Sequence, residues 1–315
     1  MIAETIRERF ETLANSGDGD PCSLAARTKA GDMFAAIDLA ALFARAGFIE
    51  PALILKVYDA AAAGWANQDF EPASLISGSG HAATSLWGPF WEFLDDDTEI
   101  DAGAFTLRTA RLGQFVDEGF VDRAGDASLD YPGVQEAARQ GWPEKFQLAD
   151  LAACPPDSLG SDFYRLIVDN SFDLEVLDRD ELGLAKLPPP LDYLNARILQ
   201  CHDLWHIIAG YHTTALHEVA ISAFQLSQFG HNYSAQFLAF ITARAAVKRP
   251  ESLPLLLETI FTAWRHGRSS PQLIGVDWPE IWGQPVASIR NQLGIAAYVS
   301  PFPPDLVEQL QAAGA

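Results

Sequence analysis

Apolar residues recur along this chain at helical rather than strand spacing. From Asp32 to Ala46 they place Phe34, Ile37, Ala41 and Ala44 on one face, keep Asp38 and Arg45 off it, and meet Gly47 as a stop. Glu50-Pro51 opens a second such run through Ile54, Val57, Tyr58 and Ala61, ending near Gly64. Trp87, Phe90, Trp91 and Phe93 form an aromatic cluster, followed by Asp95, Asp96 and Asp97. Phe105 to Phe120 reads as helix, Gly125 to Pro143 as loop with Tyr131-Pro132-Gly133 as a turn, and Leu159 to Asp169 as helix. Pro188-Pro189-Pro190 predicts a stiff extended connector, after which the helical pattern resumes at Leu191. Helix–turn–helix hairpins of this sort belong to all-α folds, so the predicted class is an all-α helical bundle.

Length and charge narrow this picture. The chain has 315 residues, enough for one large domain or two ordinary ones. Cys154-Pro155-Pro156 breaks any preceding helix, which suggests a first region at 1–150 and a second at 151–315. The net charge is -21, with -14 carried by residues 1–150 and -7 by the remainder. A polyanion of this strength repels phosphates and anionic headgroups, which argues against nucleic acid as a partner and against electrostatic membrane attachment. The first helix, Met1 to Ala14, has Glu4, Glu8 and Glu11 and no apolar core, unlike a secretory or organellar leader. No run is apolar enough to span a bilayer, because the longest uncharged stretch, Val219 to Ala243, is studded with Ser, Gln, Asn and His and broken at Gly230. A cytoplasmic location is expected.

The chemistry concentrates at His202-Asp203-Leu204-Trp205-His206, with Glu218 twelve residues further on. On a helix, histidines at i and i+4 project from one face, as zinc helices require, and Asp203 stands close enough to join them. One unbroken helix would hold Glu218 roughly 24 Å from His202, at about 1.5 Å per residue. A metal ligand must approach within about 2 Å. The chain therefore has to reverse, with Gly210 ending one helix and Thr213 or Thr214 capping the next. The expected object is a metal-binding helical hairpin, with His202, Asp203 and His206 on one arm and Glu218 on the other. Two histidines with carboxylates suit zinc or ferrous iron.

Neighbouring groups are assigned smaller parts. Cys201 points about 100° away from His202 and reads as a small buried residue. His212 and His217 read as support for the ligands. His81, His231 and His266 stand apart from the motif. Asp95 to Asp97 lack calcium-loop spacing and read as a solvated loop. Arg244, Lys248 and Arg249 read as a basic helix end favoured by the macrodipole. A peptidase would need glutamate where Asp203 stands, and a phosphohydrolase would need further ligands that the chain does not show. A metal-dependent hydrolase is thus a weak alternative.

The motif H-D-x-x-H-(x)11-E, as His202, Asp203, His206 and Glu218, resembles the signature of the coenzyme Q biosynthesis protein four family. Leu159-Gly160 with Tyr164, Trp264-Arg265-His266-Gly267-Arg268, Val276-Asp277-Trp278, Trp282, Pro285 and Leu293-Gly294-Ile295 are similar to that family's flanking segments. The likeness covers roughly residues 150–300 and leaves the acidic residues 1–150 outside it. It implies an all-α protein whose divalent metal, zinc by preference and iron as the alternative, is held by His202, Asp203, His206 and Glu218.

The implied activity is metal-assisted decarboxylation, in one version oxidative, of a polyprenylated 4-hydroxybenzoate-derived precursor of ubiquinone, with Asp203 or Glu218 shuttling the proton. The implied partners are other quinone biosynthesis proteins and isoprenoid lipid, and a peripheral membrane contact and a homo-oligomer are both compatible. A non-catalytic lipid-binding scaffold is the alternative from another class. The apolar stretch Ile221, Phe224, Leu226, Phe229, Tyr233, Phe237, Leu238, Phe240 and Ile241 is expected either to line an isoprenoid channel or to pack as core.

Overall fold

A computed structural model describes residues 2–68, 70, 80–98, 102–175 and 177–313. Among these, all regular structure is helical. The first region contains α1 (Glu4–Ser16), α2 (Pro21–Lys29), α3 (Met33–Phe48), α4 (Ile54–Trp65), α5 (Trp87–Asp95), α6 (Ala102–Leu112), α7 (Phe120–Ser128), α8 (Val134–Ala138) and α9 (Leu148–Ala152). The second contains α10 (Leu159–Asn170), α11 (Leu191–Ala209), α12 (Ala215–Phe229), α13 (Asn232–Lys248), α14 (Leu253–Ser269), α15 (Val286–Leu293) and α16 (Leu306–Ala312).

Local chemistry sets many of these boundaries. Asp32 accepts from the amides of Phe34 and Ala35 and starts α3, while Asp20 with Pro21 starts α2 in the same manner. Ser158 caps α10 through the amide of Ser161. Gly210, Gly230 and Gly294 close α11, α12 and α15 in the left-handed conformation.

The helices of both regions share one apolar interior. α3 packs along α13, α12 along α14, and α2 along α4. Phe43 stacks on Tyr58 at 4.3 Å and Tyr58 on Trp264 at 4.9 Å, so rings from α3, α4 and α14 form one pile. The Trp264 indole N–H also donates to Asp59 at 2.8 Å. The aromatic cluster of α5 closes the other side, with Phe93 stacked 4.2 Å from Phe240 of α13.

Several sequence expectations change. Gly47 is not a stop: α3 continues to Phe48, and a Cβ at Gly47 would stand 3.0 Å from the backbone of Ala235. The residue is small because α3 and α13 touch there. Phe34 is 57% exposed, under the Arg9 guanidinium, rather than on the buried face. Arg45 is buried and donates to the carbonyls of Ala14 and Asn15. The helix expected over Phe105 to Phe120 ends at Leu112, and the stretch read as loop after Gly125 holds the end of α7 and all of α8. Pro189 and Pro190 lie in a turn, not in an extended rod.

Asp95, Asp96 and Asp97 are not merely solvated. They pair with Arg7, Arg108 and Lys248, which stand on α1, α6 and α13. One member of the basic cluster is thereby engaged with the acidic loop.

Candidate metal centre

α11 ends as the sequence predicts, because Gly210 (φ 81°) can take the left-handed turn that returns its amide to His206. The chain then reverses into α12. Thr214 occupies the cap position, but its hydroxyl donates to Pro304 at 2.6 Å instead of capping its own helix. The free amide of Ala215 is met by the Glu308 carboxylate of α16 at 2.8 Å. The hairpin is therefore closed from outside by the C-terminal segment.

On this hairpin His202, His206 and Glu218 converge, with Asp203 beside the two histidines. Nε2 of His202 lies 3.3 Å from Nε2 of His206 and 3.3 Å from a Glu218 oxygen. Nε2 of His206 lies 3.4 Å from the other Glu218 oxygen. His202, Asp203 and His206 also offer donor atoms that all lie within 4.8 Å of one another. A tetrahedral zinc with ligands at about 2.0–2.1 Å has edges of about 3.3–3.4 Å, so the imidazole and glutamate spacings fit one ion. Cys201 takes no part: it is buried, and burial pushes its thiol up to about 11.

The electrostatics are those of a tight anion–imidazole cluster. Burial pulls the His202 imidazole down, but the hydrogen bond and charge of Glu218, with Asp203 beside it, raise it to about 8. Burial pushes the Glu218 carboxyl up, and the two imidazoles outweigh that and hold it well below the carboxylate range. Asp203 shifts upward, because burial outweighs the pull of the same imidazoles. Access is one-sided. The His206 side chain is 2% exposed, whereas that of Glu218 is 44% exposed.

Around the donors stands a hydrogen-bonded shell. Nδ1 of His206 donates to the carbonyl of His212 at 3.0 Å, and the amide of His212 donates to Nδ1 of His217 at 2.8 Å. Both neighbouring histidines thus support the ligands, as their positions suggested. His266 is not isolated either: it accepts from the Tyr211 hydroxyl at 2.7 Å and donates to Ala296 at 2.9 Å. His231 pairs with Ser234 at 2.9 Å, while His81 is exposed. Sequence reading missed Gln225, whose amide lies 2.8 Å from Nδ1 of His202. Its signal was present, since seven residues from Glu218 is about two helical turns.

The apolar stretch divides. Ile221, Phe224, Leu226, Phe229, Leu238 and Phe240 are fully buried core. Tyr233, Phe237 and Ile241 form a half-buried stripe at i,i+4 spacing along α13. Phe105 of α6 approaches Phe237 at 6.1 Å. No described helix is long and apolar enough to cross a membrane.

Comparison with known proteins adds a family likeness. Residues 142–298 match the family model described as coenzyme Q (ubiquinone) biosynthesis protein Coq4. A mitochondrial ubiquinone biosynthesis protein COQ4 homolog of Drosophila ananassae is 29% identical, over 46% of this chain and 53% of the fly protein. The Eremothecium gossypii protein is 32% identical over 51% of this chain and 48% of its own, so the chain spans about half the length of these relatives. The Rattus norvegicus homolog is 28% identical over 70% of this chain and 78% of its own. A crystal structure from Nostoc punctiforme PCC 73102, of a protein assigned to ubiquinone biosynthesis, has a TM-score of 0.51 and 24% identity. It covers 68% of this chain and 98% of the cyanobacterial one, a likeness of fold.

Proposed function

Because the chain belongs, through residues 142–298, to the coenzyme Q (ubiquinone) biosynthesis protein Coq4 family, we propose that its hairpin is a divalent-metal centre that removes the ring carboxylate from a polyprenylated hydroxybenzoate precursor. The observation that carries this reading is the convergence of two imidazoles and one carboxylate at 3.3–3.4 Å, the spacing of donors around a single ion. Bound there by His202, Asp203, His206 and Glu218, zinc by preference or iron as the alternative would supply Lewis acidity toward the substrate's carboxylate and phenol oxygens.

The chain's own groups account for the remaining steps. Buried His206 anchors the centre, and half-exposed Glu218 marks the side from which a substrate enters. Asp203, once released from the metal and protonated from solvent, delivers the proton that takes the carboxylate's place on the ring. Glu218, held anionic, is the second candidate for moving that proton. The C–C bond breaks, carbon dioxide leaves and one proton is added, with no net redox change. An oxidative version consumes dioxygen as a co-substrate, a demand that favours iron. The prenyl tail lies along Tyr233, Phe237 and Ile241 on α13, beside Phe105. Residues 1–150 act as an acidic helical backing to the metal-binding region, residues 151–315, and the protein works with other quinone biosynthesis proteins, from the cytoplasm at the inner-membrane surface.

The test combines genetics with metal analysis. Deleting the gene accumulates the carboxylated precursor, and protein purified without chelator carries a stoichiometric metal. His202→Ala loses both the metal and the ability to restore quinone synthesis. Full restoration by His202→Ala would refute the catalytic assignment. One observation favours a second reading, a structural metal in a lipid-binding scaffold. Asp203 stands within 4.8 Å of the donor atoms of His202 and His206, and as a fourth donor it would fill a tetrahedral ion and leave no open position. Precursor turnover by the purified, metal-loaded protein decides between the two.

A further inference from the structure

Gln225 is the unassigned group nearest the donors. It is 2% exposed on α12, the helix that carries Glu218, and its amide faces Nδ1 of His202 at 2.8 Å. The opposite ring nitrogen, Nε2, faces Glu218 and His206. We propose that Gln225 is a positioning residue that sets the tautomer of His202 and thereby decides whether Nε2 can hold a metal. The inference rests on the metal reading above.

A neutral imidazole has one proton for two nitrogens, and only the bare nitrogen binds a metal. When the amide N–H of Gln225 donates to Nδ1, the proton of His202 sits on Nε2 and points toward Glu218, 3.3 Å away. When the amide turns over, its oxygen accepts from Nδ1–H and Nε2 is bare. An amide carries a donor and an acceptor on one pivot without a charge. Gln225 can therefore serve either tautomer of the neutral ring with the same side chain, inside a core where a further buried carboxylate would be costly.

His206 is managed differently. Its Nδ1 meets the backbone carbonyl of His212, which can only accept, so Nε2 of His206 is bare in the neutral ring. One histidine is permanently prepared for a metal and the other conditionally. Binding thus has a built-in second step, the turning of the Gln225 amide.

The test uses the full chain, with Zn2+ affinity measured by competition with a chromophoric chelator. Gln225→Leu removes the acceptor and should weaken binding by about 10–100-fold, the usual cost of losing such a partner. Gln225→Glu supplies an acceptor-only group and should bind at least as tightly as the unaltered chain. In the Zn2+-loaded unaltered protein, 15N NMR should find the His202 proton on Nδ1. Wild-type affinity in Gln225→Leu, equal weakening in both variants, or the proton on Nε2 in the loaded state would each overturn the proposal. Failure of the metal reading looks different: His202→Ala and His206→Ala would then bind Zn2+ as the unaltered chain does.

Discussion

At the scale of single residues, burial governs how readily His231 takes up a proton. His231 is 8% exposed, packed beside Ser234, and burial, with the charge of His202 adding to it, takes its pKa down to about 3 from the ordinary 6.5. A group whose folded pKa is depressed binds its proton more readily in the unfolded chain. Its stabilising contribution is therefore complete above about 6.5 and is lost as pH falls from there toward about 3. Replacing His231 with Gln removes this titration, so the acid slope of stability should drop by up to one proton, as read from denaturant melts between pH 7 and 4.

The proposed metal donors were legible in the sequence because a helix converts i,i+4 spacing into a shared face, and the impossible span to Glu218 forced the reversal. Tyr211 with His266, and Gln225 with His202, were not. Each pair joins elements distant in sequence, the α11–α12 turn to α14 and α12 to α11, and no local period encodes which elements lie side by side.

At the scale of elements, the hairpin depends on a helix remote from it. Thr214 looks like a self-capping residue, but its hydroxyl is committed to Pro304, and Glu308 of α16 meets the first amide of α12. Glu308→Ala should cost about 1 kcal/mol, as cap removals do. The loss should appear as a lower melting midpoint, whereas Thr214→Ser, which keeps a hydroxyl, should have a smaller effect. Sequence reading placed α3, α4, α10 and the α11–α12 turn to within a few residues, because caps, prolines and glycines mark them. It missed α7, whose Asp, Gly and Ser resemble a loop when read alone, and α8, which is too short to show a helical period, and only packing of Phe120, Ala124, Val134 and Ala137 reveals them. Gly47 misled for the same reason. The glycine that permits close approach of α13 cannot be told locally from one that ends a helix.

At the scale of the molecule, the family-matched residues lean on those before them. α13 carries the aromatic stripe and is packed by α3, while Trp264 of α14 hydrogen-bonds to Asp59 and stacks on Tyr58. A fragment of residues 151–315 should lack the cooperative calorimetric transition of the full chain, because the α3-facing side of α13 and one face of Trp264 would be left in water. The all-helical class was readable from periodicity, and the net charge of -21 was readable by counting. How the charge is used was not. Part of the acidic excess serves as internal fastening, since Asp95, Asp96 and Asp97 tie α1, α6 and α13 to the end of α5.

The position of Cys201 bears on how the centre tolerates an oxidising environment. The proposed ion sits among nitrogen and oxygen donors, while the sulfur adjacent in sequence is buried. Peroxide releases zinc from thiolate sites by consuming the ligand. Here the nearest sulfur is neither a ligand nor readily ionised. The proposed centre would thus keep its metal under conditions that empty a cysteine-bound site, with acid and chelators as the agents that remove it.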